Sequence, residues 1–316
     1  MSRQLFRKIK EYATHPLRVY SLISKAGFTR FVPDELHIRI MYRVLTGSKI
    51  NLDDPKTFNE KLNWLKLHDR NPLYNTLVDK LAVKAWVSEI IGDEYVTETY
   101  ASWSCVEDIS IENLPDKFVL KTNHDSGGIS ICRDKSDFNL AAARKLLAKH
   151  LKHNYFWWTR EWPYKDVTPM VMAEEYLEDV DGDAGLVDYK VTCFGGKPEF
   201  IEVHRGRFCN HTCNYYDIEW NPIRIEWAGI PIADSEVPRP CNLDKMLDLS
   251  ERLSTGIPQI RCDWYDLGDR LVFGELTLFN GAGFDIIDKD NDLRLGKLID
   301  LSLAYGSDGT EALNDC

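Results

Sequence analysis

Apolar positions along the chain fall at helical spacing first and at strand spacing later. Leu5, Phe6, Ile9 and Tyr12 recur every three or four residues, with Arg3, Arg7, Lys8 and Lys10 between them, which predicts a basic amphipathic helix. A second helix is expected after Pro33, with Asp34 and Glu35 in its first turn and an end near Gly47. Helices are also expected over residues 59–67 and 79–91, the latter closed by Gly92. The pattern then changes. Short apolar strands are predicted at 118–121 and 130–132, joined through glycines, followed by a helix at 140–151 and a strand at 170–173. Residues 188–194 and 199–204 flank Gly195-Gly196, a hairpin signal. A helix is expected at 244–253, and residues 259–265 and 270–278 flank Gly268 as a second hairpin.

These elements give a helical N-terminal region followed by an α+β body rich in antiparallel hairpins. A dinucleotide-binding domain would need repeated βαβ units and an early glycine-rich turn, and neither is present. The 316 residues suffice for two or three packed subdomains. At 44% hydrophobic and 28% charged, the composition is that of a folded protein. No apolar run approaches the roughly 20 residues of a spanning helix, and the first residues lack a signal-peptide core. A cytoplasmic location is therefore expected, with the eight cysteines mostly reduced. The net charge of −11 disfavours nucleic acid as a partner. Residues 1–50 nevertheless carry ten Lys/Arg against three Asp/Glu. That basic segment suits either peripheral contact with the inner face of a membrane or a glycolipid, or packing on the body through its apolar stripe, which such stripes usually do.

Candidate chemistry sits in a few phrases. In FVLKTNHDSGGIS a strand delivers Lys121 into a loop with Ser126, Gly127 and Gly128, where backbone N–H groups can turn onto phosphate oxygens. In RCDWYDLGDRLVFGELTLFNGAG, Arg261 and Asp263 share one strand face, as do Glu275 and Thr277. A hairpin in register brings Asp263 and Glu275 together as a Mg²⁺ site for phosphates. VMAEEYL ends a strand at Glu174, Glu175 and Leu177, an edge suited to adenine, with Asp181 in reach of a ribose. Each feature also has a bland explanation as a turn or a solvated face. Elsewhere, His204, Cys209, His211 and Cys213 match no standard zinc spacing. Asp179, Asp181 and Asp183 begin like an EF-hand loop, but Lys190 stands where its closing Glu belongs. Trp157, Trp158 and Trp162 suit core packing better than sugar stacking. Arg205 and Arg207 suit an anionic ligand and a solvated surface equally.

Taken in order, these pieces resemble the ATP-grasp superfamily. PKTFNEKLNWLKLHDRNPLYNTLVDK, LPDKFVLKTNHDSGG, REWPY, VMAEEYL and the late hairpin are similar to the TupA-like ATP-grasp family, from about residue 36 to residue 301. The resemblance implies an ATP-grasp fold of two α+β subdomains enclosing ATP. It implies a helical region at 1–70, the start of the body at 71–115, a nucleotide-binding lid at 116–178 and a metal-bearing subdomain at 179–316. It implies ATP and Mg²⁺ as cofactors, with Lys80, Lys121 and Lys190 on the nucleotide and Asp263 and Glu275 on the metal. Glu275-Leu276-Thr277 departs from the superfamily's frequent Glu-x-Asn, so metal contact by Thr277 or by Asn280 is left open. Members are associated with capsule and cell-surface polysaccharide synthesis. The implied reaction joins a carboxylate, such as a uronic acid, to an amine through an acyl phosphate, with Arg261 on the oxyanion. An ATP-dependent phosphotransferase and a glycosyltransferase are the alternatives.

Overall fold

The computed structural model describes residues 16–178, 186–206, 210–227, 229–233 and 235–306. The basic segment 1–15, the Asp-rich segment with Asp181, and Arg207 and Cys209 lie outside those residues.

Among the described residues, five helices come first: α1 (Pro16–Lys25), α2 (Asp34–Thr46), α3 (Phe58–His68), α4 (Leu73–Val78) and α5 (Ala82–Ile91). The end of α2 is set by Gly47, left-handed, whose N–H bonds the Arg43 carbonyl. A capping box of Thr57 and Glu60 opens α3. The helix expected over 79–91 starts only at Ala82. The Asp79 carboxylate accepts from the Leu81 and Ala82 N–H groups (2.9 and 3.3 Å) and breaks the run from α4. Lys80 sits in that break, its N–H bonded to the Asn123 carbonyl at 2.9 Å.

Two antiparallel sheets follow. The smaller has the order β1-β4-β2-β3, with β1 (Thr99–Trp103), β2 (Phe118–Thr122), β3 (Ile129–Cys132) and β4 (Val171–Glu175). Phe118, Leu120, Val171 and Ala173 pack with Ala143 and Leu147 of α6 (Leu140–His150). Strand alternation turns Lys121 and Glu174 to the other face. The larger sheet has the order β10-β9-β5-β6-β7-β8. Its strands are β5 (Asp188–Phe194), β6 (Lys197–Arg205), β7 (Thr212–Asp217), β8 (Pro222–Ile223), β9 (Gln259–Asp266) and β10 (Leu271–Thr277). A short helix α7 (Phe156–Thr159) precedes β4, and α8 (Leu243–Ser254) precedes β9. Val191, Cys193, Ile201, Val203, Cys262 and Trp264 share a core with Met246, Leu249 and Leu253 of α8. The Trp264 indole donates to Ser250 Oγ at 2.9 Å, which fixes that face to α8.

Helix α9 (Lys289–Leu298) crosses the start of α3 closely enough that only glycine fits the contact. A Cβ on Gly296 would stand 2.2 Å from the Lys56 carbonyl oxygen and 2.7 Å from Phe58 N. Gly296→Ala must therefore push two backbones apart. The expected cost is about 1–3 kcal/mol, read as a lower urea midpoint; an unchanged midpoint would show that the two helices separate freely.

Candidate active site

The face of the larger sheet turned away from α8 carries one charged row. Lys190 on β5 is opposite Asp263 on β9 and Glu202 on β6, and Asp263 is opposite Glu275 on β10. Directly opposed residues point to the same side, so four charged side chains meet across four strands. The β9–β10 register carries an irregularity. Phe273 pairs with Trp264 and Glu275 with Asp263, so Gly274 is the extra residue of a β-bulge. A strict alternation would put Phe273 and Glu275 on one face. The bulge instead packs Phe273 edge-on against Trp264 in the core, ring centroids 5.9 Å apart, and turns Glu275 toward Asp263.

Asp263 is buried and fully engaged. Arg261 donates through Nε (2.6 Å) and Nη2 (2.8 Å), and Lys190 pairs with the same carboxylate. Lys190 also pairs with Asp188 at 3.0 Å. Arg261 Nη2 donates to Thr277 Oγ1 at 3.1 Å. Glu275 is the most accessible member of the row, and Lys80 Nζ and Arg261 Nη2 each stand 3.6 Å from it. Burial pushes the Glu275 carboxyl up, but Lys80, Lys190, Arg261 and Lys121 outweigh it and hold the group down at about 2. Burial raises Asp263 against the pull of Arg261 and Lys190. Glu275 therefore contributes stability that is present above its unfolded pKa of about 4.3 and fades as pH falls toward 2.

The smaller sheet brings a second group of charges. Lys121 pairs with Glu174, whose other oxygen takes Lys84 Nζ at 2.9 Å. Burial raises Glu174, but Lys121 and Lys84 reverse this and lower it. Nothing in the sequence pattern singles out Lys84, although it lies four residues beyond Lys80. Glu175 pairs with Arg270 of the β9–β10 hairpin, at 2.5 and 3.2 Å, and so ties the two sheets together. Leu177 follows β4 half-buried, where the strand has already ended.

Lys80 joins the groups. Its Nζ donates to the Asp125 carbonyl at 2.9 Å while facing Glu275. Asp125 belongs to the β2–β3 loop, in which Ser126 and Gly127 are exposed and Gly128 is buried. The Thr122 N–H bonds the Gly128 carbonyl at 2.9 Å, and the Asp125 carboxylate is held by the Thr122 hydroxyl and by His150. The loop is thus anchored at its base with its tip in solvent. Of the residues singled out in the sequence, Lys80, Lys190, Arg261, Asp263, Glu275 and Thr277 come together, Lys121 and Glu174 form the adjoining pair, and Asp181 lies outside the described residues.

One further feature follows β10. Gly281, Ala282 and Gly283 all have left-handed backbone angles, with φ of 54°, 52° and 65°. Three side chains one turn apart on α3 hold this turn by its carbonyls. Asn59 Nδ2 donates to Asp285 O (2.9 Å), Asn63 Nδ2 to Gly283 O (2.7 Å) and Lys66 Nζ to Ala282 O (2.8 Å). The turn carries Asn280, which is buried with neither amide atom hydrogen-bonded. Asn280 follows β10 by three residues, and its orphaned amide oxygen together with the Asp263 and Glu275 carboxylates is a hard-oxygen donor set that suits Mg²⁺.

A family model described as TupA-like ATP-grasp matches residues 60–300. No match is found among curated proteins. Among solved structures, D-alanine–D-alanine ligase from Bacillus anthracis with ATP aligns at 14% identity and TM-score 0.38, over 67% of this chain and 57% of that one. The Helicobacter pylori D-alanine–D-alanine ligase aligns at 12% identity and TM-score 0.42, covering 78% and 68%. A RimK-domain ATP-grasp protein of Sphaerobacter thermophilus aligns at 14% and 0.40, covering 84% and 95%. This chain thus spans little more than half the length of the B. anthracis ligase. No helix among the described residues is long and apolar enough to cross a membrane. With three quarters of its length matched by one family model, the chain belongs to the TupA-like ATP-grasp family.

Proposed function

We propose that this protein is an ATP-dependent carboxylate–amine ligase acting through an acyl phosphate, with a uronic acid or similar carboxylate of a cell-surface glycan as substrate. The observation that carries the proposal is the meeting of Lys190, Arg261, Asp263 and Glu275 on one sheet face, with Lys80 reaching them from the α4–α5 break. Family membership supports ATP as the nucleotide.

Lys121 and Lys190 bind the nucleotide's phosphates, assisted by Lys80, and the Ser126–Gly128 tip covers them. The edge at Glu174, Glu175 and Leu177 receives the adenine, and Asp181 the ribose. Asp263 and Glu275 would hold Mg²⁺, with the Asn280 or Thr277 side-chain oxygen as a further donor. When bound, Mg²⁺ neutralises charge on the phosphoryl group in transfer. A substrate carboxylate oxygen attacks the γ-phosphorus and ADP leaves. The amine nitrogen then adds to the acyl carbon, and phosphate departs with the C–O bond's electron pair while the amine proton passes to solvent. Arg261 uses Nε and Nη2 on Asp263 and Thr277 and presents its remaining amino group to the oxyanion of that addition.

Calorimetric titration tests the assignment. Mg-ADP is expected to bind in the micromolar range, about −8 kcal/mol, and UDP not at all. Lys121→Met is expected to weaken Mg-ADP at least about tenfold, which is 1.4 kcal/mol. ADP and phosphate release that requires both a uronic acid and an amine then identifies the ligase. A stable phosphorylated product instead marks a phosphotransferase. UDP binding without ADP binding in a folded sample overturns the proposal in favour of a glycosyltransferase.

A further inference from the structure

The same sheet face continues past the catalytic row into a group with different chemistry. Glu202 lies opposite Lys190, while His204 lies opposite Asp188 and Cys213, so strand register alone sets Glu202, His204 and Cys213 side by side. All three are buried. Their ligand atoms lie within 4.8 Å of one another. His204 Nε2 stands 3.6 Å from Cys213 Sγ and 3.4 Å from Glu202 Oε2.

Those two spacings have a specific meaning. A tetrahedral zinc has ligands at about 2.3 Å for sulfur and about 2.0–2.2 Å for nitrogen and oxygen. Adjacent corners of that tetrahedron lie about 3.5–3.6 Å apart for N···S and about 3.3–3.4 Å for N···O. The atoms not facing the centre are held from outside. His204 Nδ1 is 2.9 Å from His211 Nε2, so a proton on Nδ1 leaves the Nε2 lone pair facing Cys213 and Glu202. The Thr192 hydroxyl approaches the other Glu202 oxygen at 3.5 Å. Orientation of a metal-binding histidine through its second nitrogen is a recurrent support for zinc ligands.

We infer that Glu202, His204 and Cys213 bind a zinc-type divalent cation, with His211 and Thr192 orienting the ligands and one coordination position left for water. Its mixed S, N and O donors separate it from the all-oxygen pair of Asp263 and Glu275, which suits Mg²⁺. The two sites lie on one sheet face with Lys190 between them. Sequence spacing conceals the site, because Glu202 and Cys213 are brought together only by the β6–β7 pairing.

The full chain, stripped by chelator and reloaded with Zn²⁺, is expected to retain one zinc per chain after desalting. Loading with Co²⁺ is expected to give a thiolate-to-cobalt charge-transfer band in the near ultraviolet. Cys213→Ser should lose that band and weaken zinc at least about a hundredfold, and His211→Ala should keep the band and weaken zinc about ten- to a hundredfold. Because Cys213 is buried, His211→Ala at the half-buried rim serves as the variant that spares the core. Asp263→Asn should leave the zinc stoichiometry unchanged, so the result is independent of the nucleotide site. A folded wild-type chain that loses its zinc on desalting overturns the inference. So does a folded Cys213→Ser chain with the wild-type cobalt band, or a His211→Ala chain with wild-type zinc affinity.

Discussion

Asp263→Asn is expected to lower turnover by about a hundred- to a thousandfold, the range found when one preorganised charge-stabilising group is removed from an active site. The side chain keeps its shape, so the loss reports charge. Asp263 balances two cations at once, taking both Nε and Nη2 of Arg261 and also Lys190. Removing that charge leaves Arg261 and Lys190 with Asp188, Glu275 and Glu202 as neighbouring carboxylates. Breaking a buried ion pair from one side commonly costs about 3–5 kcal/mol, so the variant's melting curve must be recorded beside its kinetics. Mg-ADP affinity and its dependence on Mg²⁺ concentration separate the two effects. A metal ligand gives weaker Mg-ADP binding that partly recovers at high Mg²⁺. A purely structural Asp263 gives a lower melting temperature with Mg-ADP affinity unchanged in the folded fraction, and that outcome would remove the metal assignment.

Much of this arrangement is legible in the amino-acid order, and what is not has definite causes. The hairpins at Gly195-Gly196 and Gly268 are legible because a period of two on both sides of a glycine is a local signal. The sequence marks Lys190 and Asp263 separately, and their direct opposition emerges only with the β5–β9 pairing, which joins residues 73 apart. Strands β1 and β7 carry no pattern strong enough to predict them. β1 touches the sheet only through β4, and β7 reads as the polar run TCNYYD. The bulge at Gly274 is invisible to a strict alternation rule, although Glu275 owes its direction to it. Helix α9 escapes prediction because its sequence, KDNDLRLGKL, is mostly polar and buries only Leu295 and Gly296. Of the aromatic run 155–164, Phe156 is buried, and Trp158, Trp162 and Tyr164 pack half-buried against the core. Its Arg160 is also buried, donating to the carbonyls of Thr29 and Val32 and pairing with Asp34 at 2.9 Å.

Lys66→Met should be the most destabilising single change in the helical region, at about 3–5 kcal/mol. Lys66 is buried near the end of α3, and its ammonium donates to the carbonyls of Thr159 and Ala282 at 2.8 Å each. It also lies 4.1 Å from the Phe284 ring centroid. Burial lowers the Lys66 pKa and raises that of Glu161, while each charge pulls the other back toward the ionised pair. Methionine fills the space and leaves Glu161 buried without its counter-charge. That carboxyl then takes up a proton in the folded state, with a pKa above the unfolded value of about 4.3. Stability of the variant must therefore fall as pH rises from about 4 toward neutrality, so the deficit against wild type is smallest in acid. Urea titrations at several pH values read this directly, and a second substitution, Glu161→Leu, should recover part of the loss. The consequence extends to the site, because Lys66, Asn63 and Asn59 together hold the left-handed turn that carries Asn280 just after β10. Loosening the Ala282 carbonyl releases a residue whose φ of 52° is costly outside that grip. Turnover should then fall together with stability, while Mg-ADP affinity for the Lys121 side of the site changes less. Full activity in a Lys66→Met chain that remains folded would show that the α3 clasp supports the fold alone.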